Sequence, residues 1–127
     1  MAAGDVSARE VVDAHLTRIE EVNGWLNALV LVDADGARTA ANGIDQARAA
    51  GDPLGPLAGV PFTVKDGLDL AGHPTTHGIV AFADNVAQID DPTIGRLRAS
   101  GAIPLGKTNL PEMALRLATD NTLFGLT

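Results

Sequence analysis

The chain has 127 residues, which suits one domain or a piece of a larger protein. Hydrophobic residues make up 46% of it, enough for a core, and the net charge of −7 without a basic cluster argues against nucleic acid as a partner. The absence of cysteine excludes disulfides, thiolate catalysis and cysteine-ligated metal. No apolar window is long enough to span a membrane, and residues 1–5 lack the basic start of a secretory signal with an apolar stretch behind it, so we expect a cytoplasmic protein with no membrane partner.

The first half of the chain predicts two helices separated by a strand. In order, these are a helix over 7–23, a strand over 28–32 and a helix from Asp33 or Asp35 to Ala50. Ser7 and Glu10 form a capping box that starts the first helix. Gly51 supplies the stop signal for the second.

The second half continues the alternation of helices and strands. In order, we expect a loop over 52–56, a strand over 57–65, an irregular segment over 66–90, a helix from Asp91 to Gly101, a strand over 102–105 and a last helix capped by Asn109. Asp91 is favoured at a helix N-cap and Pro92 at the first helical position. Glu112, three residues after Asn109, completes a second capping-type pattern. Both strands are apolar on both faces, which favours central positions in a sheet. The alternation predicts an α/β fold.

Lys65 ends the apolar run Val-Pro-Phe-Thr-Val and precedes Asp66. A strand that delivers a lysine into a turn places it at the rim of a sheet, where α/β proteins usually have their sites. Burial there would disfavour the ammonium and favour a neutral amine base. The alternative is a lysine that forms a salt bridge with Asp66 or another acid, and the spacing alone leaves both open.

Residues 101–108 match the phosphate-loop pattern G-x-x-x-x-G-K-T, with Lys107 as its lysine. The physical context is poor for nucleotide binding. A helix, not a strand, is predicted before Gly101, and Pro104 has no N–H to offer a phosphate. We therefore expect a structural role for Lys107 and keep a nucleotide-binding module as an alternative.

The remaining polar residues predict neither a nucleophile nor a metal site. Ser7 is used as a helix cap, Ser100 lies at a helix end, and no G-x-S-x-G elbow is present. The histidines do not form a metal pattern, and Pro74 separates His73 from His77. Thr75 and Thr76 suit a turn or strand better than a catalytic role.

Several runs of sequence resemble the amidase-signature family in order and spacing, over roughly residues 5–127. They are Leu57-Ala-Gly-Val-Pro-Phe-Thr-Val-Lys65-Asp66, Gly72-His-Pro-Thr-Thr-His-Gly78, Asp91 to Ile103, Gly106-Lys-Thr-Asn-Leu-Pro-Glu-Met-Ala114 and Asn121 to Thr127. The resemblance implies a mixed sheet covered by helices and a hydrolase or amidotransferase acting on carboxamides. It also implies a Ser–cis-Ser–Lys triad, in which Lys65 takes the place of the catalytic lysine.

The serines of that triad belong to a Gly-Gly-Ser-Ser-Gly-Gly-type segment that this sequence lacks. We therefore expect residues 1–127 to be the incomplete N-terminal segment of an amidase-signature domain, inactive by itself. The resemblance implies a small carboxamide substrate, no cofactor, the remainder of a parent chain as partner, and a possible homo-oligomer. A non-catalytic structural fragment is the other alternative.

Overall fold

A computed structural model describes residues 5–127, so residues 1–4 of the five on which the prediction about a secretory signal rests lie outside it. The elements in chain order are α1 (Ala8–Leu26), β1 (Leu29–Val32), α2 (Ala34–Ala50), β2 (Pro61–Lys65), α3 (Pro92–Ala99) and β3 (Ile103–Thr108). Short 3₁₀ turns lie at Val80–Phe82 and Glu112–Ala114. The predicted α/β class is confirmed.

The helix boundaries follow from local capping chemistry. The Ser7 side chain accepts a hydrogen bond from the Glu10 backbone and the Glu10 carboxylate accepts from the Ser7 N–H, so the predicted capping box is present. Asp33, and not Asp35, caps α2, and Gly51 ends α2 in the left-handed conformation. Asp91 caps α3 by accepting from the Thr93 N–H at 2.7 Å. These three helices are where the sequence predicts them, although α1 runs three residues further.

Helices α1 and α2 pack together against one face of the sheet. The core between them is built from small and medium residues, namely Ala8, Val12, Leu16, Ala37, Ala41, Ile103 and Leu105. Alanines at the helix contact let the two backbones approach closely. A second cluster on the other face joins Val64, Leu70 and Ile94. The sheet therefore separates two apolar layers, as expected for an α/β protein.

The sheet has the strand order β1-β3-β2, with β1 antiparallel and β2 parallel to β3. It is a mixed sheet with β3 in the centre, as the apolar sequence of β3 predicts, whereas β2, for which a central position was also expected, lies at one edge of the sheet that residues 5–127 form. Two strand boundaries differ from the prediction by more than one residue. Residues 57–60 form a turn, closed by a hydrogen bond from the Val60 N–H to the Leu57 carbonyl, so β2 begins only at Pro61. Strand β3 continues to Thr108 instead of ending at Leu105.

A β-bulge at Gly106 changes the face to which the end of β3 points. Phe62 pairs with Pro104 and Val64 pairs with Lys107, so three steps along β3 match two steps along β2. The extra residue breaks the alternation that otherwise places Ile103, Leu105 and Lys107 on one face. Lys107 thereby leaves the face of the α1–α2 core and joins the face of Val64.

The predicted helix after Asn109 is wrong. Only the 3₁₀ turn Glu112–Ala114 forms there, and Met113 and Ala114 have positive φ values of 51° and 58°. The side-chain oxygen of Asn109 does not cap a helix, because it accepts from the Leu110 N–H and from the Asn121 side chain. Long-range hydrogen bonds thus replace the local capping geometry that the sequence predicts.

Three asparagines, Asn27, Asn109 and Asn121, hold the C-terminal loop against the rest of the fold, and we call them the asparagine clasp. Asn27 Nδ2 donates to the Phe124 carbonyl at 2.7 Å, and Asn109 Nδ2 donates to the Gly125 carbonyl at 3.1 Å. Asn121 is 6% exposed and organises the loop from inside, since its Oδ1 accepts from the Leu123 and Phe124 amides. The clasp joins the end of α1 to the end of β3.

No helix within residues 5–127 is both long enough and apolar enough to cross a membrane.

Candidate active site

Lys65 is the last residue of β2, at the end of the sheet where the parallel strands β2 and β3 finish. Its neighbours Val64 and Asp66 are both 1% exposed, whereas Lys65 itself is exposed. The chain turns directly afterwards, because the Leu68 N–H donates to the Lys65 carbonyl at 2.9 Å. Within residues 5–127, the Lys65 amine makes neither a hydrogen bond nor an ion pair. The structure therefore places this amine at the rim of the sheet, as predicted, but the expected burial is wrong for residues 5–127, because the Lys65 side chain is exposed there.

Lys107 is the opposite case, a lysine whose side chain is completely enclosed. It is 0% exposed, and its Nζ donates to the carbonyls of Leu68 and Pro74 at 2.8 and 3.0 Å. Nζ also donates to Thr75 Oγ1 at 3.1 Å and lies 3.4 Å from Asp66 Oδ1. Three N–H donors thus meet three oxygen acceptors and one carboxylate, which satisfies the ammonium fully.

Asp66 is the buried counter-ion of Lys107 and the anchor of the following loop. Its carboxylate accepts a hydrogen bond from the Thr76 hydroxyl. Its backbone carbonyl accepts from the His77 N–H at 3.2 Å, and the Gly78 N–H donates to Thr76 Oγ1 at 3.0 Å. Burial lowers the pKa of Lys107, while the nearby Asp66 charge raises it and so opposes the loss of the proton. The pair holds residues 66–78 against the end of β3.

The structure excludes one of the two interpretations of Lys65 within residues 5–127, the salt bridge with Asp66, and leaves the catalytic interpretation a prediction. A salt bridge between Lys65 and Asp66 is wrong, because Asp66 points inward and pairs with Lys107. Successive side chains of a strand point to opposite faces, so Lys65 and Asp66 separate at once. No local sequence pattern indicates the Asp66–Lys107 pair, since its members lie far apart along the chain, Asp66 in the turn after β2 and Lys107 in β3.

The phosphate-loop pattern does not form a phosphate loop. Residues Ile103–Thr108 are a central strand, and their backbone groups pair with β1 and β2. The Lys107 amine is already bound by protein oxygens and is out of reach of a nucleotide. The expected structural role of Lys107 is confirmed.

The other polar residues bind within the protein, although Thr75 and Thr76 lie in irregular backbone and not in the turn or strand expected of them. The Ser100 hydroxyl donates to the Arg96 carbonyl, and Thr75 and Thr76 serve the Lys107–Asp66 pair. His73 Nε2 lies 3.3 Å from Asp33 Oδ2, whereas the His77 N–H donates to the Asp66 carbonyl. Among residues 5–127, no three His, Asp or Glu side chains converge on a metal-sized site.

Known proteins resemble this chain in sequence and in overall fold. The family described as Amidase matches residues 10–127. A glutamyl-tRNA(Gln) amidotransferase subunit of Salinispora tropica is 48% identical over all 127 residues, which cover 26% of that protein. Indoleacetamide hydrolase of Bradyrhizobium diazoefficiens is 45% identical over 125 residues, which are 98% of this chain and 24% of that protein.

A solved structure gives the same result at the level of the fold. A bacterial aryl acylamidase of the amidase-signature enzymes superimposes with a TM-score of 0.92 and 35% identity, covering 98% of this chain and 26% of that one. The chain therefore spans about a quarter of the length of the relatives that it matches. On the family match over residues 10–127 and these relatives, the chain belongs to the amidase-signature family.

Proposed function

We propose that this chain is the N-terminal part of a serine amidase that cleaves the C–N bond of a carboxamide, with Lys65 as its general base. The nucleophilic serine and a bridging serine would lie in a segment beyond residue 127. The length of the relatives supports this, because residues 1–127 correspond to only about a quarter of each. By itself, the chain would contain the general base Lys65 but neither the nucleophilic serine nor the bridging serine.

The observation that carries the proposal is the contrast between the two lysines. A general base needs a free lone pair and must come within about 2.6–3.2 Å of the proton that it removes. The Lys107 amine has all three N–H groups bound inside the protein and cannot reach a substrate. Lys65 is exposed at the rim of the sheet, and its amine has no partner within residues 5–127. Lys65 is therefore the lysine that is open to a catalytic partner.

The proposed reaction proceeds through an acyl-enzyme. Neutral Lys65 accepts a proton from the bridging serine, which accepts one from the nucleophilic serine as that oxygen attacks the amide carbon. The proton held by Lys65 then passes back through the bridging serine to the leaving nitrogen, the C–N bond breaks, and ammonia or an amine departs. Water then attacks the ester, and the carboxylate leaves with the serine restored. Backbone N–H groups outside this segment would stabilise the oxyanion.

Hydrolysis and amide transfer share the first half of this scheme. The names of the relatives include both a hydrolase and part of an amidotransferase, and both classes would form the same acyl-enzyme and release the same nitrogen. We propose hydrolysis, in which ammonia or an amine appears free in solution. Measuring ammonia release from primary carboxamides, with and without an added acceptor, separates the two outcomes.

The test of Lys65 uses the full polypeptide that carries this segment. Lys65→Ala should lower kcat/KM by several orders of magnitude, because members of a catalytic triad act as a unit. Lys65→Arg is the sharper variant, since a guanidinium keeps the charge and cannot be deprotonated. We expect it to be as inactive as Lys65→Ala, whereas a purely electrostatic role would be rescued by arginine.

Arg18→Ala is the matched control, because it removes an exposed cation from α1 and should leave turnover unchanged. The isolated 127-residue chain should hydrolyse no amide. Turnover by that chain, or near-normal activity of full-length Lys65→Ala, would remove Lys65 from the catalytic role. If the native protein has the mass of 127 residues and no activity, the non-catalytic alternative replaces this proposal.

A further inference from the structure

We propose that Lys107 and Asp66 are a positioning pair, which fixes the turn after Lys65 and keeps the carboxylate next to Lys65 from binding its amine. This inference rests on the proposed role of Lys65. Neither residue of the pair would touch the substrate. They would affect the position of the Lys65 amine and would keep it free of an ion pair with Asp66.

The Lys107 ammonium holds the turn at two points. Asp66, the residue after Lys65, places its carboxylate 3.4 Å from Nζ, and the Leu68 carbonyl accepts from Nζ at 2.8 Å. The Leu68 N–H returns to the Lys65 carbonyl at 2.9 Å. One buried cation therefore fixes both the first and the third residue after Lys65, and with them the backbone from which the Lys65 side chain projects.

The same ammonium ties the turn to a second segment of the chain. The Pro74 carbonyl and the Thr75 hydroxyl accept from Nζ at 3.0 and 3.1 Å. The Thr76 hydroxyl donates to the Asp66 carboxylate, so this segment also contacts the other member of the pair. The end of β2 is thus held between β3 and residues 74–76.

The pair also occupies the carboxylate that lies nearest to Lys65 in sequence. With Lys107 and Thr76 bound to it and only 1% of Asp66 exposed, this carboxylate is not accessible to the Lys65 amine. A lysine held in an ion pair stays protonated and is not a base. The Gly106 bulge makes this arrangement possible, because it brings Lys107 to the face of Asp66.

The test measures kcat and KM separately in the full polypeptide. Lys107→Met removes the cation, and we expect kcat to fall about 100-fold with KM unchanged, the scale for a misplaced catalytic group. Thr75→Val removes a single hydrogen bond to the ammonium and is the milder variant, with an expected loss in kcat of about tenfold. It keeps the test valid if Lys107→Met does not fold.

Leu16→Ala is the stability control. Leu16 lies in the α1–α2 core on the other face of the sheet, so this variant destabilises the fold without touching the turn. Its kcat per folded molecule should equal that of the wild type. Hydrogen exchange supplies a readout independent of activity: in Thr75→Val, the Leu68 and His77 amides should exchange faster, while the amides of α1 should not.

The outcomes separate this inference from the proposed function. If Lys65→Ala is inactive but Lys107→Met and Thr75→Val keep wild-type kcat, the pair is purely structural and the inference is wrong. If Leu16→Ala loses kcat as much as Thr75→Val does, general destabilisation explains both and the inference also fails. If Lys65→Ala keeps its activity, the proposed function itself fails, and with it the role of the pair.

Discussion

Gly106 is a position in β3 where a side chain would meet the backbone of β1, and Gly106→Ala tests the importance of the bulge. Its φ of +152° lies in a region that favours glycine. A Cβ built on Gly106 would lie 2.0 Å from the Leu31 carbonyl oxygen and 2.9 Å from Val32 Cα. Both are backbone atoms of β1, so relief requires that β1 and β3 separate.

The cost of this substitution follows from two terms. Backbone strain at such a φ and the overpacking of a close contact each cost about 1–3 kcal/mol, so we expect Gly106→Ala to destabilise the protein by about 2–6 kcal/mol. A typical domain is stable by about 5–15 kcal/mol, so the variant should be close to unfolding. If the variant loses the bulge, Lys107 also turns towards the face of the α1–α2 core, which destabilises the protein further.

Gly43→Ala and Gly24→Ala are the matched controls. Both glycines lie within helices, and a Cβ at either position meets nothing within 4 Å. Alanine is the better helix former, so each control should stabilise the protein by about 0.5–1 kcal/mol. Urea denaturation of the three variants gives the comparison. If Gly106→Ala unfolds at the same urea concentration as the wild type, the bulge is not a constraint and the close contact with β1 has no energetic weight.

Three further predictions concern the two lysines. An amine-acetylating reagent should modify Lys65 rapidly and Lys107 only on unfolding, as peptide mass spectrometry would detect; equal rates would contradict the buried ammonium. Because burial lowers the pKa of Lys107 from its usual value of 10.5, the unfolded chain binds more protons in the alkaline range below that value. The wild type should therefore gain stability relative to Lys107→Met as the pH rises through this range. If its relative stability falls instead, the pKa of Lys107 is not lowered. Mg-ATP should not raise the melting temperature, whereas a ligand at about 100 times its Kd would add about 2.7 kcal/mol; a shift that Lys107→Ala abolishes would restore the phosphate-loop hypothesis.

Local chemistry made much of the fold predictable. The Ser7–Glu10 capping box and the Asp91 cap each involve residues two or three positions apart, so their geometry is contained in a short stretch of sequence. The position of Lys65 at a strand end is likewise predictable from a short stretch, the apolar run that precedes it. Its proposed catalytic role came instead from the resemblance of the sequence around it to a known family.

The features that were missed depend on contacts between distant residues. Asn109 and Glu112 match a helix start, yet the Asn109 side chain binds Asn121 and the helix does not form. Strand periodicity alone would place Lys107 with Leu105, and only the pairing of β3 with β2 reveals the bulge. No local pattern identifies Asp66 as the partner of Lys107. Tertiary hydrogen bonding overrode local propensity in each of these cases.

The asparagine clasp has a consequence for the order of folding. The Thr127 hydroxyl donates to the Asn27 carbonyl, a contact that closes a loop of 100 residues. Closing a flexible loop of that length costs about 4 kcal/mol plus a constant, which a few hydrogen bonds cannot offset before the intervening chain is compact. Residues 121–127 should therefore dock last, after α1 and β3 are in place, and should detach first. Their amides would then report a partial opening at lower free energy than the global unfolding of the sheet.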